Sequence, residues 1–220
     1  MRIIGTILFS IFIIINFSCE TTEHHHVPKT ANEALKELMA GNKRYINNAP
    51  IHHDFIDEAH HSEKDQHPHT FVLSCIDSRV PPEIVFDQGI GNLFVARVAG
   101  NIEDPNILGS MEYAVQVKGT KLLVVLGHSN CGAVQGAIDN VNLGHLTQLT
   151  NQIKVAFSNH RTYPLPEHLS DETGRLNVLY TIDHILSSSK IIRDLVTQKK
   201  IKIVGTFYDL HTGKVELLQS

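Results

Sequence analysis

Tryptophan is absent from the chain, cysteine is limited to 3 residues, and neither sign of charge dominates, with 19 Lys and Arg against 23 Asp and Glu. Each shortage excludes something. Three cysteines, Cys19, Cys75 and Cys131, are too few for a disulfide framework. A formal net charge of -4 argues against a surface that tracks phosphates, and so against a nucleic-acid binder. No long apolar run follows residue 17, which excludes a multi-spanning membrane protein. With 42% hydrophobic and 19% charged residues the composition is neither disordered nor collagen-like. At 220 residues the chain makes one large domain or two small ones. What it has in excess is histidine, 15 residues, nine of them between His24 and His69.

The one long apolar run opens the chain. Met1 and Arg2 give a short positive start, and Ile3 to Phe17 is apolar except for Gly5, Thr6, Ser10 and Asn16, which resembles a bacterial signal peptide. As a helix it spans about 22 Å, short of the roughly 30 Å hydrocarbon core of a bilayer. Cys19, directly after the small Ser18, resembles the lipidated cysteine of bacterial lipoproteins. Residues 1–19 are therefore expected to be a lipoprotein-type signal, with the protein exported to the periplasm and held at the membrane by a lipid anchor only. Asn16 and Phe17 depart from that motif, so a plainly cleaved signal and an uncleaved anchor are the alternatives. Residues 20–29 read as a polar tether.

Thr30 and Glu33 then form a T-x-x-E capping box, followed by Leu35, Leu38, Met39 and Tyr45 at helical spacing. The pattern predicts a first helix of about fifteen residues ending near Asn47. Residues 48–69 have no clear period and read as a loop or frayed helix. Beyond them, Thr70–Ser74, Leu93–Val98, Lys121–Gly127 and Ile201–Tyr208 are near-continuous apolar runs of strand length, as expected for strands covered on both faces. Ile107–Lys118, Cys131–Asn140 and Asn177–Lys199 have helical spacing. The alternation predicts an α/β fold over residues 30–220, a mainly parallel sheet flanked by helices with an N-terminal helical arm.

In such a sheet the chemistry sits in loops at the carboxyl ends of the strands. The first strand runs into Cys75-Ile76-Asp77-Ser78-Arg79, and the third into His128-Ser129-Asn130-Cys131-Gly132. If the two strands are neighbours, Cys75, His128 and Cys131 converge on one point. Two thiolates and an imidazole suit Zn²⁺, and three protein ligands with a fourth position open is the pattern of a catalytic zinc. A Cys75–Cys131 disulfide is the competing reading, which export would favour.

At these residues the sequence resembles the β-class carbonic anhydrases, whose signatures C-x-D-S-R and H-x-x-C-G stand here as Cys75–Arg79 and His128–Gly132. The resemblance extends through Arg97-Val98-Ala99-Gly100-Asn101, Met111-Glu112-Tyr113-Ala114-Val115 and Tyr208-Asp209-Leu210-x-Thr212-Gly213. It implies zinc-dependent, reversible hydration of carbon dioxide to bicarbonate and a proton by zinc-bound hydroxide, in a homodimer or dimer of dimers. Cys75, His128 and Cys131 are then the ligands of one zinc per chain. Asp77 accepts a hydrogen bond that orients the hydroxide, and Arg79 holds Asp77 ionised and off the metal. Released by Arg79, Asp77 becomes a possible fourth ligand in a closed state. A structural ion pair at a strand end is the alternative for Asp77 and Arg79.

The spacing of Gln66, Phe94 and Tyr113 resembles that of the family members with a Gln/Phe/Tyr substrate pocket. The members with a bicarbonate site carry a tryptophan three residues before the first ligand, where this chain has Val72. The open, water-bound state is therefore expected. Core packing is the alternative for Phe94 and Tyr113. His52, His53, His60, His61, His67 and His69 offer imidazoles for proton relay or zinc gathering, but a solvated linker is the preferred reading and no site is assigned to them. The rival function is a non-catalytic periplasmic zinc-binding and buffering protein, which has no use for an oriented carboxylate beside an open coordination position.

Overall fold

Strand-length runs without a polar face form the centre of the molecule. A computed structural model describes residues 27–158 and 169–219; the signal segment, Cys19 and the tether as far as residue 26 lie outside the described residues. The helices are α1 (Ala31–Ile46), α2 (Phe55–Ser62), α3 (Pro82–Val85), α4 (Pro105–Glu112), α5 (Gly132–Ile138), α6 (Gly144–Phe157), α7 (Leu169–Ser188) and α8 (Lys190–Thr197). The strands are β1 (Thr70–Ser74), β2 (Leu93–Arg97), β3 (Leu122–His128), β4 (Lys202–Tyr208) and β5 (Val215–Gln219).

The sheet order is β2-β1-β3-β4-β5, with the first four strands parallel and β5 antiparallel. β1 and β3 are buried along their whole length, as their unbroken apolar sequences require. Because side chains alternate, each strand feeds two cores. Val72, Leu122, Val124, Leu126 and Val204 pack beneath α1 and α3 with Ala34, Leu38, Val85 and Phe86. Phe71, Leu73, Leu123 and Val125 pack on the other face with Met111, Val178, Ile182 and Ile192.

The expected capping box starts α1: Thr30 accepts from the Glu33 N–H at 3.2 Å while Glu33 reaches back to the Thr30 N–H at 3.3 Å. Two turns of helix, α2, stand within the segment 48–69. Several boundaries differ from the sequence reading. β3 ends on His128, because its pairing with β4 continues to His128↔Tyr208. The helix expected over Ile107–Lys118 is α4 followed by a π-helical turn over Tyr113–Val117, closed by Lys118 N–H to Tyr113 O at 3.2 Å. The single helix expected over Asn177–Lys199 begins earlier, as α7, and breaks at Ser189, which caps α8 and donates to Glu112 at 2.6 Å. α6 and β5 carry no assignment in the sequence reading.

Asn42, buried on α1, ties three elements together. It donates to Val85 O at 3.0 Å and Gly213 O at 2.9 Å, and accepts from Val215 N–H at 2.9 Å. The preceding Gly41 permits the approach, since a Cβ there would overlap the Phe86 carbonyl oxygen. Alanine in place of glycine favours an isolated helix by about 1 kcal/mol, but steric overpacking costs about 1–3 kcal/mol or more. A rigid backbone carbonyl cannot yield as a side chain would, and the displacement would also strip Asn42 of its partners. Gly41→Ala is therefore expected to lower the unfolding free energy by about 2 kcal/mol, measured by urea denaturation; a stabilised variant would contradict this packing.

Candidate metal centre

Cys75 follows the last residue of β1, His128 ends β3, and Cys131 caps the start of α5. The in-register pairing of β1 with β3, with Ser74 opposite Leu126, brings both strand ends to one level. Cys75 is 4% exposed, His128 1% and Cys131 2%. The sulfurs of the two cysteines stand 3.9 Å apart, and the ligand atoms of all three residues lie within 4.8 Å of one another. Both thiols are free, so the sulfurs are neighbours without a disulfide between them.

The donor set fits a thiophilic cation. His128 Nδ1 donates to Ser129 O at 2.9 Å, which leaves Nε2 as the lone-pair nitrogen, and that atom is buried with no hydrogen-bond partner. A buried polar atom of this kind is costly unless something binds it. One thiol donates a hydrogen bond to the other sulfur at 3.9 Å. Hydrogen bonding with Cys131 lowers the Cys75 thiol to about 4 against its burial, and the same interaction, with burial, pushes Cys131 up. A dication held there by Cys75, His128 and Cys131 would favour the thiolate form of both sulfurs.

The loop after β1 is fixed by two arginines. Arg79 grips Asp77 with two prongs, Nε to Oδ1 at 2.9 Å and Nη2 to Oδ2 at 2.7 Å, and its own backbone N–H adds a bond to Oδ1 at 3.0 Å. This hydrogen bonding holds the Asp77 carboxyl well below the usual carboxylate range. Its side chain is 14% exposed, and Oδ2 lies 3.8 Å from His128 Nε2, beside the ligand cluster. Arg97 spans the loop's backbone, donating to Cys75 O at 2.9 Å and Asp77 O at 2.6 Å. The loop after β3 is tied to the β4 end by Ser129, whose N–H donates to Tyr208 O and whose Oγ accepts from Leu210 N–H, both at 2.9 Å. Arg97 lies within a stretch of the sequence resemblance but has no role there. Ser129 stands between two ligands and gives no local signal of its own.

The carbonic anhydrase family model matches residues 70–215. Carbonic anhydrase 2 of Mycobacterium tuberculosis is 35% identical over 196 residues, covering 86% of this chain and 92% of the relative. The carbonic anhydrase of Mycolicibacterium smegmatis is 36% identical over 190 residues, covering 84% and 91%. Among solved structures, a β-carbonic anhydrase of Sordaria macrospora, described as tetrameric, superposes with a TM-score of 0.66 at 28% identity, covering 84% of this chain and 93% of that one. The chain belongs to the β-class carbonic anhydrases.

In this β-carbonic anhydrase the three pocket candidates stand apart from the ligands of their own chain. Phe94 pairs with Phe71 across the strands, four residues ahead of Cys75, which places it about 13 Å back along the sheet at 3.3 Å per residue. Its ring packs against Phe71 at 6.4 Å and against Tyr113 at 6.2 Å, and Tyr113 is 45% exposed. Gln66 is exposed in the segment leading to the amino end of β1. Of the histidines, His69 is a buried structural residue, held by Thr70 at 2.8 Å and Gln88 at 3.0 Å. His52 pairs with Glu58 at 2.7 Å, while His61 and His67 are exposed beside Asp57 and Asp65.

Cys75→Ser, His128→Ala and Cys131→Ser are each expected to lose most of the bound metal, because two remaining protein ligands hold a divalent ion poorly. Elemental analysis of the purified proteins tests this, and a full metal complement in any of the three would remove that residue from the ligand set.

Proposed function

We propose that this β-carbonic anhydrase catalyses the reversible hydration of carbon dioxide to bicarbonate and a proton, with one zinc held by Cys75, His128 and Cys131. The observation that carries this reading is the buried Cys/His/Cys cluster, ligand atoms within 4.8 Å, with a clamped carboxylate beside it. Two thiolates and a neutral imidazole form a donor set that zinc prefers. Bound there, zinc supplies Lewis acidity that makes a hydroxide nucleophile available near neutral pH.

The rest is performed by the protein. An ionised carboxylate offers about four lone-pair sites and only accepts hydrogen bonds. Arg79 occupies two sites on Asp77 Oδ1, through Nε and its backbone N–H, and one on Oδ2, which leaves Oδ2 able to accept a further hydrogen bond and orient the attacking oxygen. The same grip keeps Asp77 from becoming a fourth ligand. A pocket role for Gln66, Phe94 and Tyr113 requires a second chain to bring them to its partner's metal centre, which a homodimer or dimer of dimers supplies. We further propose export through the segment 1–19 with lipidation at Cys19; among the described residues no helix is long and apolar enough to cross a membrane. A diacylated cysteine anchors stably where one acyl chain does not.

Asp77→Asn is expected to retain its metal and lose about a hundredfold or more in stopped-flow hydration rate, the range of a positioned proton acceptor. Loss of the metal instead would make Asp77 a ligand and overturn the open-site reading. In the unaltered enzyme the rate is expected to rise with pH as the nucleophile deprotonates. Two thiolates neutralise the zinc charge, so the plateau falls on the alkaline side of about 7, the value for a three-histidine zinc. Asp77 contributes no inflection to that profile: its pKa is depressed, so it is ionised throughout the neutral range and loses its charge only in strong acid. A rate flat from about pH 6.5 to 9 would show that deprotonation does not control the reaction. For location, Cys19→Ala is expected to move the protein from the membrane to the soluble fraction with its zinc content unchanged; unaltered protein found soluble with an N-terminus other than Cys19 would exclude the anchor.

A further inference from the structure

One polar contact at the metal centre belongs to neither the ligands nor the Asp77–Arg79 pair. The Gly100 N–H donates to Cys75 Sγ at 3.3 Å. Gly100 sits in the 3₁₀ turn Ala99–Asn101 with φ 74°, in the left-handed region, where a Cβ would in addition meet Ile153 Cδ1 at 2.5 Å. Glycine adopts this left-handed conformation without strain, and the turn brings its N–H to the sulfur.

The turn is gripped from α7 at two points, two helical turns apart. Asn177 Nδ2 donates to Gly100 O at 2.7 Å, and His184 Nδ1 pairs with Glu103 just beyond the turn. Asn177 is 0% exposed, and its Oδ1 has no hydrogen-bond partner. Holding an amide there leaves one buried oxygen unsatisfied, so the residue's net contribution to stability is small. What the amide does contribute is the orientation of the Gly100 backbone.

We propose that Asn177 is a positioning residue for the metal centre: it fixes the Gly100 backbone so that the Gly100 N–H points at Cys75 Sγ, and this hydrogen bond orients the sulfur and tempers its donation to the metal. The proposal rests on the metal-binding reading given above. An N–H aimed at a thiolate withdraws electron density from it and removes a rotational freedom of the ligand, so outer partners of this kind govern how tightly and how electrophilically a metal is held. Asn177 touches neither the metal nor the substrate; it acts through Gly100.

The test replaces zinc with the spin-half isotope of cadmium and reads the Gly100 amide by NMR. A hydrogen bond to a metal-bound sulfur transmits a scalar coupling between the metal nucleus and the amide proton, which a residue with a merely structural role would not affect. The unaltered protein is expected to show this coupling at Gly100. Asn177→Leu, which keeps the bulk of the side chain, and Asn177→Ser, whose hydroxyl is too short to reach Gly100 O, are expected to lose it. Both should release cadmium to a chelator about tenfold faster, as is typical when an outer partner of a ligand is removed. The wild-type measurement needs no folded variant, and the serine variant serves if leucine prevents folding. Cadmium bound by the unaltered protein without coupling at Gly100, or coupling that persists in a folded Asn177 variant, overturns the proposal while leaving the metal centre intact. Failure of cadmium to bind at Cys75, His128 and Cys131 would overturn the metal-binding reading itself.

Discussion

The parallel, in-register pairing of β1 with β3 is the interaction on which the metal centre depends. Ser74 stands opposite Leu126, so Cys75 leaves β1 next to the end of β3, which His128 forms, and the turn to α5 brings Cys131 back to the same point. A slip of one residue would turn every β1 side chain to the other face, sending Phe71 and Leu73 into the wrong core. Such a slip is opposed from both faces, because Val72 is enclosed by one cluster and Phe71 and Leu73 by the other. The positions of the ligands are thus secured by aliphatic packing several residues away from them.

That packing creates an electrostatic problem which the loops resolve. Thiols, an imidazole and a carboxylate at the edge of a dry core are expensive to ionise unless each charge meets a partner. Asp77 meets Arg79, and the thiols meet one another and the Gly100 N–H. Arg97 spends its donors on backbone carbonyls of the same loop, which fixes the carboxylate and the first ligand relative to each other without adding a charge partner to either. The centre therefore separates two tasks: one arginine keeps Asp77 charged, and another keeps it in place.

Much of this was legible in the sequence, and the remainder was hidden for identifiable reasons. β1 and β3 show as apolar runs because both faces of the sheet are covered there, and β2, half-buried at one edge, keeps an apolar run, whereas β5, the other edge strand, has the mixed sequence Val215-Glu216-Leu217-Leu218 and carries a weaker signal. Leu146, Leu149, Ile153 and Phe157 of α6 have helical spacing, but α6 lacks a side-chain cap to mark its start. The break at Ser189 depends on Glu112, 77 residues away in the chain, so no local pattern reports it. At the centre, the ligands and the Asp77–Arg79 pair lie within two short motifs and could be read directly. Asn177 could not, since its role exists only where α7 crosses the turn after β2.

The orphaned His128 nitrogen links the chemistry to the stability of the fold. His128 Nε2 is buried with no hydrogen-bond partner, beside two cysteine sulfurs 3.9 Å apart, at the junction of β1, β3 and α5. Metal binding requires deprotonated sulfur and a neutral imidazole, so it releases protons and satisfies these groups together. An ion bound by the native state and not by the unfolded chain adds its binding free energy to folding. A metal bound there would therefore cross-link two strand ends and a helix, and would in turn reinforce the tight packing that holds Cys75, His128 and Cys131 in place.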